Sequence, residues 1–147
     1  MEKRSSQMTT SQKGLLADYY MGAYGPTLRF DATTPEDLAL IRETIGALLT
    51  GRSKEIDISS DPRFSLSRFA FLKLRIGKSG DEKHLRKLES AQGKGFVWEL
   101  DSDGWRDCLD LIEGLFEGGP GHQYLTREGV DDALVELAYK EGTPPRP

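Results

Sequence analysis

The chain has very few of the residues that build reactive or metal centres. Its 147 residues include one cysteine, Cys108, and two histidines, His84 and His122, which lie far apart in sequence. A single cysteine excludes an intramolecular disulfide, and this set offers no spacing typical of metal ligands. The chain also lacks a nucleophile elbow and a phosphate-binding loop. We therefore expect no metal and no cofactor, and we identify no catalytic residue.

Long apolar runs are also missing. No run approaches the ~20 residues of a membrane-spanning helix, and residues 1–13 contain no apolar core of a signal peptide. We therefore expect no membrane association and a cytoplasmic location. Hydrophobic residues make up 37% of the chain and charged residues 30%, which is typical of a globular protein. At this length one domain can bury its own core.

A pattern of strand, helix and strands occurs twice in the chain. Thr27–Asp31 and Val97–Asp101 both alternate apolar and polar residues, which is the period of a half-buried strand. Two later segments carry apolar residues at helical spacing. The matched helix positions are Leu38, Ile41, Ile45, Leu48 and Leu49 against Trp105, Cys108, Ile112, Leu115 and Phe116. The matched positions of the last strands are Ala70, Leu72 and Leu74 against Val135, Leu137 and Tyr139.

This repetition predicts an α+β fold. We expect a single domain over residues 14–142, built from two β-α-β-β repeats, 27–77 and 96–142, with a connector over 78–95. The expected architecture is a mostly antiparallel sheet of about six strands with two helices on one face. A ferredoxin-like sandwich is the alternative.

Three further segments complete the prediction from sequence. Residues 14–24 are predicted to form a short helix or an added edge strand. A short helix near 81–90 is predicted from the capping-box spacing at its start. The tails, 1–13 and 143–147, are expected to be disordered.

The alternation of residues along the strands predicts which side chains lie on the open face of the sheet, away from the helices. His122 and Tyr124 follow a glycine-rich turn and share one strand face, and a histidine beside carboxylates can titrate near neutral pH. A purely structural histidine next to a helix C-terminus fits the same sequence. The candidate binding residues on the open face are Arg29, Phe71, Lys73, Arg75, Glu99, His122, Tyr124 and Glu136.

Charge is distributed unevenly. Residues 1–94 contain 16 Lys and Arg against 12 Asp and Glu, whereas residues 95–147 contain 4 against 12. An acidic region can steer a basic protein partner, although two solvated faces of opposite sign explain the same distribution. Nucleic-acid binding is disfavoured, because the pI is about 5.3 and the RNP signature is absent.

The segment FVWELDSDGWRDCLDLIEGLFEGGPGHQYLT, residues 96–126, resembles the C-terminal part of small bacterial proteins of unknown function. Its most distinctive piece is GHQYL, residues 121–125, and some of these proteins look like immunity proteins of toxin loci. The resemblance implies no catalytic residues. The sequence therefore favours a non-catalytic bacterial binding protein, in its specific form an immunity-type inhibitor of a toxin. The alternative is a small-molecule or peptide binder, or an enzyme, with its site near His122.

Overall fold

The computed structural model describes residues 14–77, 84–126 and 130–141. Over these residues the chain is α+β, with two helices and nine strands. The expected tails, 1–13 and 143–147, lie outside the described residues. The elements in chain order are β1 (Leu15–Gly22), β2 (Gly25–Ala32), α1 (Pro35–Leu49), β3 (Glu55–Asp57), a 3₁₀ turn (Ile58–Ser60), β4 (Phe64–Ser67), β5 (Phe71–Ile76), β6 (Leu85–Ser90), β7 (Gly93–Leu100), α2 (Ser102–Gly118), β8 (Gly121–Tyr124) and β9 (Leu134–Tyr139).

The strands form two mixed sheets, and the prediction of one mostly antiparallel sheet of six strands is wrong. The first sheet has the order β4-β1-β2-β9-β8 and the second the order β3-β5-β7-β6. Three ladders are parallel: β1 with β4, β2 with β9, and β5 with β7. Hydrophobic alternation defines a strand and its faces but carries no information on its partner. The sheet count therefore could not be derived from the pattern.

Each half of the chain contains a hairpin, a helix and further strands, and each hairpin pairs with a strand of the other half. The β1–β2 hairpin pairs with β9, and the β6–β7 hairpin pairs with β5. The unit is thus longer than the predicted repeats, because it includes the first hairpin strand. Residues 85–90, placed in the connector and predicted as part of a helix, form β6. Residues 15–22 form β1, which lies between β4 and β2 and not at an edge.

The ladders also correct the predicted alignment of the last strands. Val135 lies opposite Leu28, and Leu74 lies opposite Trp98. By this register Val135 corresponds to Leu74 rather than to Ala70. Strand residues repeat every two positions, so an alignment shifted by an even number keeps the same apolar pattern. The pattern alone could not detect the shift.

Both helices begin at side-chain caps. In α1 the Thr34 side chain accepts a hydrogen bond from the Asp37 N–H. The next residue, Pro35, occupies the first helical position. The second helix is capped by Asp101, whose side chain accepts a hydrogen bond from the Gly104 N–H. This cap places α2 directly after β7.

The inner faces of both sheets and the apolar faces of both helices meet in one hydrophobic core. The predicted helix faces are confirmed, since their first four positions are buried in both helices. They are Leu38, Ile41, Ile45 and Leu48 in α1, and Trp105, Cys108, Ile112 and Leu115 in α2. The Trp105 indole N–H donates to the Arg75 carbonyl at 2.8 Å, which fixes α2 against β5.

Phe71 was predicted to be exposed on the open face, and it is buried. Its partner across the ladder is Gly95, and a Cβ built on that glycine would lie 2.2 Å from the Phe71 ring. The ring therefore occupies the space that a side chain at position 95 would fill. Phe69 packs edge-on against Phe96, with ring centroids 5.9 Å apart. Neither phenylalanine forms an exposed apolar patch.

Candidate ligand-binding site

A pocket of about 470 Å³ opens on the outer face of the five-stranded sheet, the face turned away from the core. Strands β1, β2, β8 and β9 contribute to it, together with the turn between β1 and β2 and the residues after β9. The lining residues are Tyr20, Gly22, Ala23, Tyr24, Thr27, Arg29, His122, Tyr124, Glu136 and Glu141. Three tyrosines, a histidine and three charged side chains thus converge on one cavity.

Strand alternation places these side chains on a common face. In β2, Leu28 and Phe30 belong to the core, so Arg29 points to the opposite side. Glu136 lies directly across from Arg29 in the β2–β9 ladder, and Tyr124 lies across from Glu136 in the β8–β9 ladder. Leu125, which follows, packs against the core. The predicted placement of His122, Tyr124 and Glu136 on one face therefore agrees with the fold.

The floor of the pocket is a buried charged pair. Arg29 is 4% exposed and Glu136 is 7% exposed, although both were predicted to face solvent. The Arg29 guanidinium lies 3.7 Å from Glu136 Oε2 and 3.9 Å from Asp31 Oδ1. Tyr20, whose hydroxyl donates to Glu136 Oε1 at 3.5 Å, closes one side. Both residues lie on inner strands of the sheet, with a paired strand on each side, so facing away from the core does not expose them.

His122 and Glu141 form the upper wall. His122 Nδ1 lies 3.0 and 3.1 Å from the two carboxylate oxygens of Glu141. An ionised carboxylate only accepts hydrogen bonds, so Nδ1 is the donor in this contact. Lys140, directly before Glu141, has a φ of 58°. This left-handed turn at the end of β9 redirects the chain so that Glu141 reaches β8.

The tyrosines provide aromatic walls. The rings of Tyr24 and Tyr124 stand at 89° with centroids 6.4 Å apart, and His122 packs edge-on against Tyr124 at 5.4 Å. Tyr24 and Tyr124 are both exposed, so each ring presents surface to the pocket without closing it. Two perpendicular rings form a corner in which a ligand can contact both.

Burial and the neighbouring carboxylates together shift the pKa values of the pocket residues. Burial, and then the charge of Glu136, raises the pKa values of Tyr20 and Tyr124 above the usual tyrosine range. Burial also raises the pKa of Asp31, against the opposing effect of Arg29. A raised tyrosine pKa means that the hydroxyls stay protonated at neutral pH. The tyrosines therefore offer neutral rings and hydroxyl donors.

The remaining candidate residues from sequence lie in the other sheet. Glu99 and Arg75 are ladder neighbours there, at the positions that Arg29 and Glu136 occupy in the first sheet, with the charges exchanged. Both are partly exposed: Arg75 binds Glu55, and Glu99 lies 3.7 Å from Arg86. Lys73 stands 5.7 Å from the centroid of the buried Phe71 ring, also in that sheet. The eight candidates thus divide into two groups of four.

Sequence reasoning missed three of the aromatic and charged pocket residues. Tyr20 and Tyr24 belong to the segment 14–24, whose aromatic character was noted without a role. Glu141 had no usable signal, because its position depends on a left-handed lysine that sequence statistics do not favour. A glycine at position 140 would have suggested the turn.

Within the part of the chain that the structure describes, one group of side chains could hold a metal ion. Single ligand atoms of His122, Glu136 and Glu141 lie within 4.8 Å of one another. The expectation of no metal took only histidine and cysteine as ligands and therefore left this set out. Histidine with two carboxylates suits divalent transition metals. Glu136, however, already faces the guanidinium of Arg29, which opposes a second positive charge at the same carboxylate.

The comparisons with known proteins give no assignment. No protein-family model matches the chain, and neither curated proteins nor solved structures yield a match. Among the described residues, neither helix combines the length and apolar character needed to cross a membrane. The functional argument therefore depends on the pocket.

Proposed function

We propose that this protein is a non-catalytic binding protein and that its binding site is the pocket lined by Tyr20, Tyr24, Tyr124 and His122. The observation that carries this proposal is the combination of aromatic walls with a buried charged floor in one cavity. Ligand sites are typically concave, with apolar walls and a few fixed polar groups. A volume of about 470 Å³ suits a small molecule or a single side chain of a partner.

Binding is favoured over catalysis by the groups around His122. Its contact with Glu141 has the geometry of a base and its orienting carboxylate. Three hydroxyls of the lining are poor nucleophiles, because Tyr20 and Tyr124 have raised pKa values and the Thr27 hydroxyl donates to the Gly25 carbonyl at 3.0 Å. The described lining offers no cysteine, serine or lysine for His122 to activate.

An inhibitor of a basic protein is a special case of this proposal. In that case the occupant of the pocket is a side chain of the partner, and the acidic region 95–147 attracts the partner before contact. An immunity-type role in a bacterium is one such setting. The pocket supports the binding step and is equally compatible with a free small ligand.

The proposal is tested by screening small-molecule fragments against the ¹⁵N-labelled protein. Fragments should shift the amide resonances of β8, β9 and the turn between β1 and β2. Tyr124→Ala should weaken the hits about tenfold or more, because stacking surface is lost. Leu88→Ala is the matched control, since Leu88 is a similarly exposed residue of an edge strand in the other sheet. Hits that map elsewhere, or that both variants weaken equally, would contradict the proposal.

A further inference from the structure

We propose that the group recognised in this pocket is an organic cation, an alkylammonium or a guanidinium. This inference rests on the proposed function and names the chemistry of its ligand. Three observations support it: the balance of charge, the perpendicular tyrosine rings and the position of the carboxylates.

The pocket carries an excess of negative charge. Among the described lining residues, the one lysine or arginine is Arg29, and the acidic ones are Glu136 and Glu141. A third carboxylate, Asp31, lies 3.9 Å from the Arg29 guanidinium. Arg29 faces two of these three carboxylates. Glu141 contacts only His122 among its described partners. An anionic ligand would therefore meet uncompensated negative charge, and a cationic ligand would be attracted.

The tyrosines provide the surfaces that bind organic cations. The face of an aromatic ring attracts a cation within about 6 Å of its centroid. Tyr24 and Tyr124 meet at 89°, so an alkylammonium in the corner between them contacts one ring by its face and the other at close range. Burial raises the pKa of Tyr124, so its ring stays neutral at physiological pH. A simple acidic cluster would lack such walls.

The carboxylates lie at the polar end of this corner. Glu141 is 30% exposed and its oxygens face the pocket side of His122. A cation bound between the rings can donate to Glu141 while its apolar part remains against tyrosine. Glu136 lies deeper, and its oxygens already contact Arg29 and Tyr20. It therefore adds to the negative electrostatic potential of the pocket and makes no direct contact with the cation.

A bare metal ion fits the pocket less well. The cavity is far larger than an ion, the rings offer no ligand atoms, and Arg29 opposes a divalent charge at Glu136. The organic cation could be a free amine or the lysine or arginine side chain of a protein. These sources share one chemistry, and the experiment separates them.

The test measures binding to the full chain by calorimetry and by amide shifts. The probes are n-butylammonium and methylguanidinium, with n-butanol as the neutral control, butyrate as the anionic control and Zn²⁺ as the metal control. The two cations should bind at least about tenfold more tightly than butanol or butyrate. Equal binding of butanol, or tighter binding of butyrate, would overturn the inference of a cationic ligand and leave the proposed binding pocket intact. No pocket shift with any probe or fragment would overturn both proposals.

Variants locate the cation. Glu141→Gln should weaken butylammonium about tenfold, since a charge-assisted hydrogen bond becomes a neutral one. Glu89→Gln, an exposed glutamate in the other sheet, is the matched control and should have no effect. Tyr124→Phe should retain binding, whereas Tyr124→Leu should lose it, because only the aromatic variant keeps the ring face. Thermal unfolding of each variant verifies that it is folded. Unchanged binding in both Glu141→Gln and Tyr124→Leu would overturn the assignment.

Two further arms distinguish the sources. N-acetyl-lysine amide that binds more tightly than butylammonium assigns the cation to a protein side chain. The reverse order assigns it to a free amine. Zn²⁺ that binds through His122, Glu136 and Glu141, while neither organic cation binds, would replace the inference with a metal site.

Discussion

At the scale of single residues, burial and not strand direction determines what the charges do. Arg29 and Glu136 sit on the outer face of their sheet and are nonetheless buried, whereas Arg75 and Glu99 occupy the equivalent positions and are partly exposed. The same pair of charges therefore has different energetics in the two sheets. A buried pair is costly to break because the remaining charge stays desolvated.

This difference predicts the effect of removing one charge from each pair. Glu136→Gln should lower the free energy of unfolding by about 3 kcal/mol, since it removes the negative member of a buried pair and leaves the Arg29 guanidinium desolvated. Glu99→Gln, at the equivalent position, should cost about 0.5 kcal/mol or less, as for exposed ion pairs. Urea unfolding of both variants measures the two values. Equal losses would contradict the assigned burial of Glu136.

Cys108 provides a residue-scale prediction that depends on pH. The thiol is buried against the core, and burial raises its pKa to about 12, with a smaller contribution from Asp107. The folded state therefore keeps a proton that the unfolded state loses above an ordinary thiol pKa of about 8.5. The sign follows directly: this contribution to stability is complete below about pH 8.5 and is lost as the pH rises toward 12.

Two measurements check this prediction. The free energy of unfolding should fall more steeply between pH 8.5 and 10 in the parent protein than in Cys108→Ala, which has no thiol to titrate. At pH 8 the native thiol should react with a maleimide at least about a thousandfold more slowly than in denaturant, because both thiolate and access are reduced. Similar rates in the two states would place Cys108 at the surface.

At the scale of elements, the two helices are equivalent in their faces and their caps. Each presents four matched buried apolar positions to the shared core, to which α1 adds Leu40, and each begins at a side-chain cap. They also contact each other, since Arg42 of α1 binds Glu113 at 3.1 Å and stacks 4.4 Å above the Phe116 ring of α2. These exposed contacts align the helices and contribute little energy. Burial of the apolar faces provides the stability.

Equivalence of the helices predicts similar costs at matched positions. Ile41→Ala and Ile112→Ala should each lower the free energy of unfolding by about 2–5 kcal/mol, because both delete buried carbons and leave a cavity. Leu88→Ala, in an exposed strand, is the control and should cost less than about 0.5 kcal/mol. Chemical denaturation measures all three. A loss below about 0.5 kcal/mol at either isoleucine would show that the helix alignment fails there.

At the scale of the whole molecule, the halves are interlocked. Each sheet combines strands from both halves through a parallel ladder, β2 with β9 in one and β5 with β7 in the other. The pocket depends on this pairing, because the β1–β2 hairpin and its turn supply Tyr20, Tyr24 and Arg29. The β8–β9 hairpin and the residue after Lys140 supply His122, Tyr124, Glu136 and Glu141. Neither half contains a complete sheet or a complete pocket.

Interlocking predicts that the halves do not fold separately. Two fragments produced by a cut within residues 78–83 should each show little regular structure by circular dichroism, because each loses its central ladders. Mixing them should restore the native spectrum and the buried environment of Trp98 and Trp105. A fragment that unfolds cooperatively by itself would contradict this prediction.

The sequence by itself determined the local features of this protein. Strand alternation and helical spacing identified both helix faces, the β2 and β7 strands, and the common face of His122, Tyr124 and Glu136. These properties depend on residues close in the chain, for which period and capping carry the information. The same reasoning assigned the single cysteine to the core.

The tertiary structure determined which strands pair and how deeply their charged side chains are buried. Long-range strand pairing is not encoded in an alternating pattern. It produces two sheets in place of one, the four-residue shift in the last strands and the separation of Glu99 from Glu136. The pocket likewise requires a left-handed turn at Lys140 and a hairpin that carries Tyr20 and Tyr24. Burial of Arg29 with Glu136 depends on neighbours more than 100 residues apart in the chain. Only the folded chain brings these groups within contact.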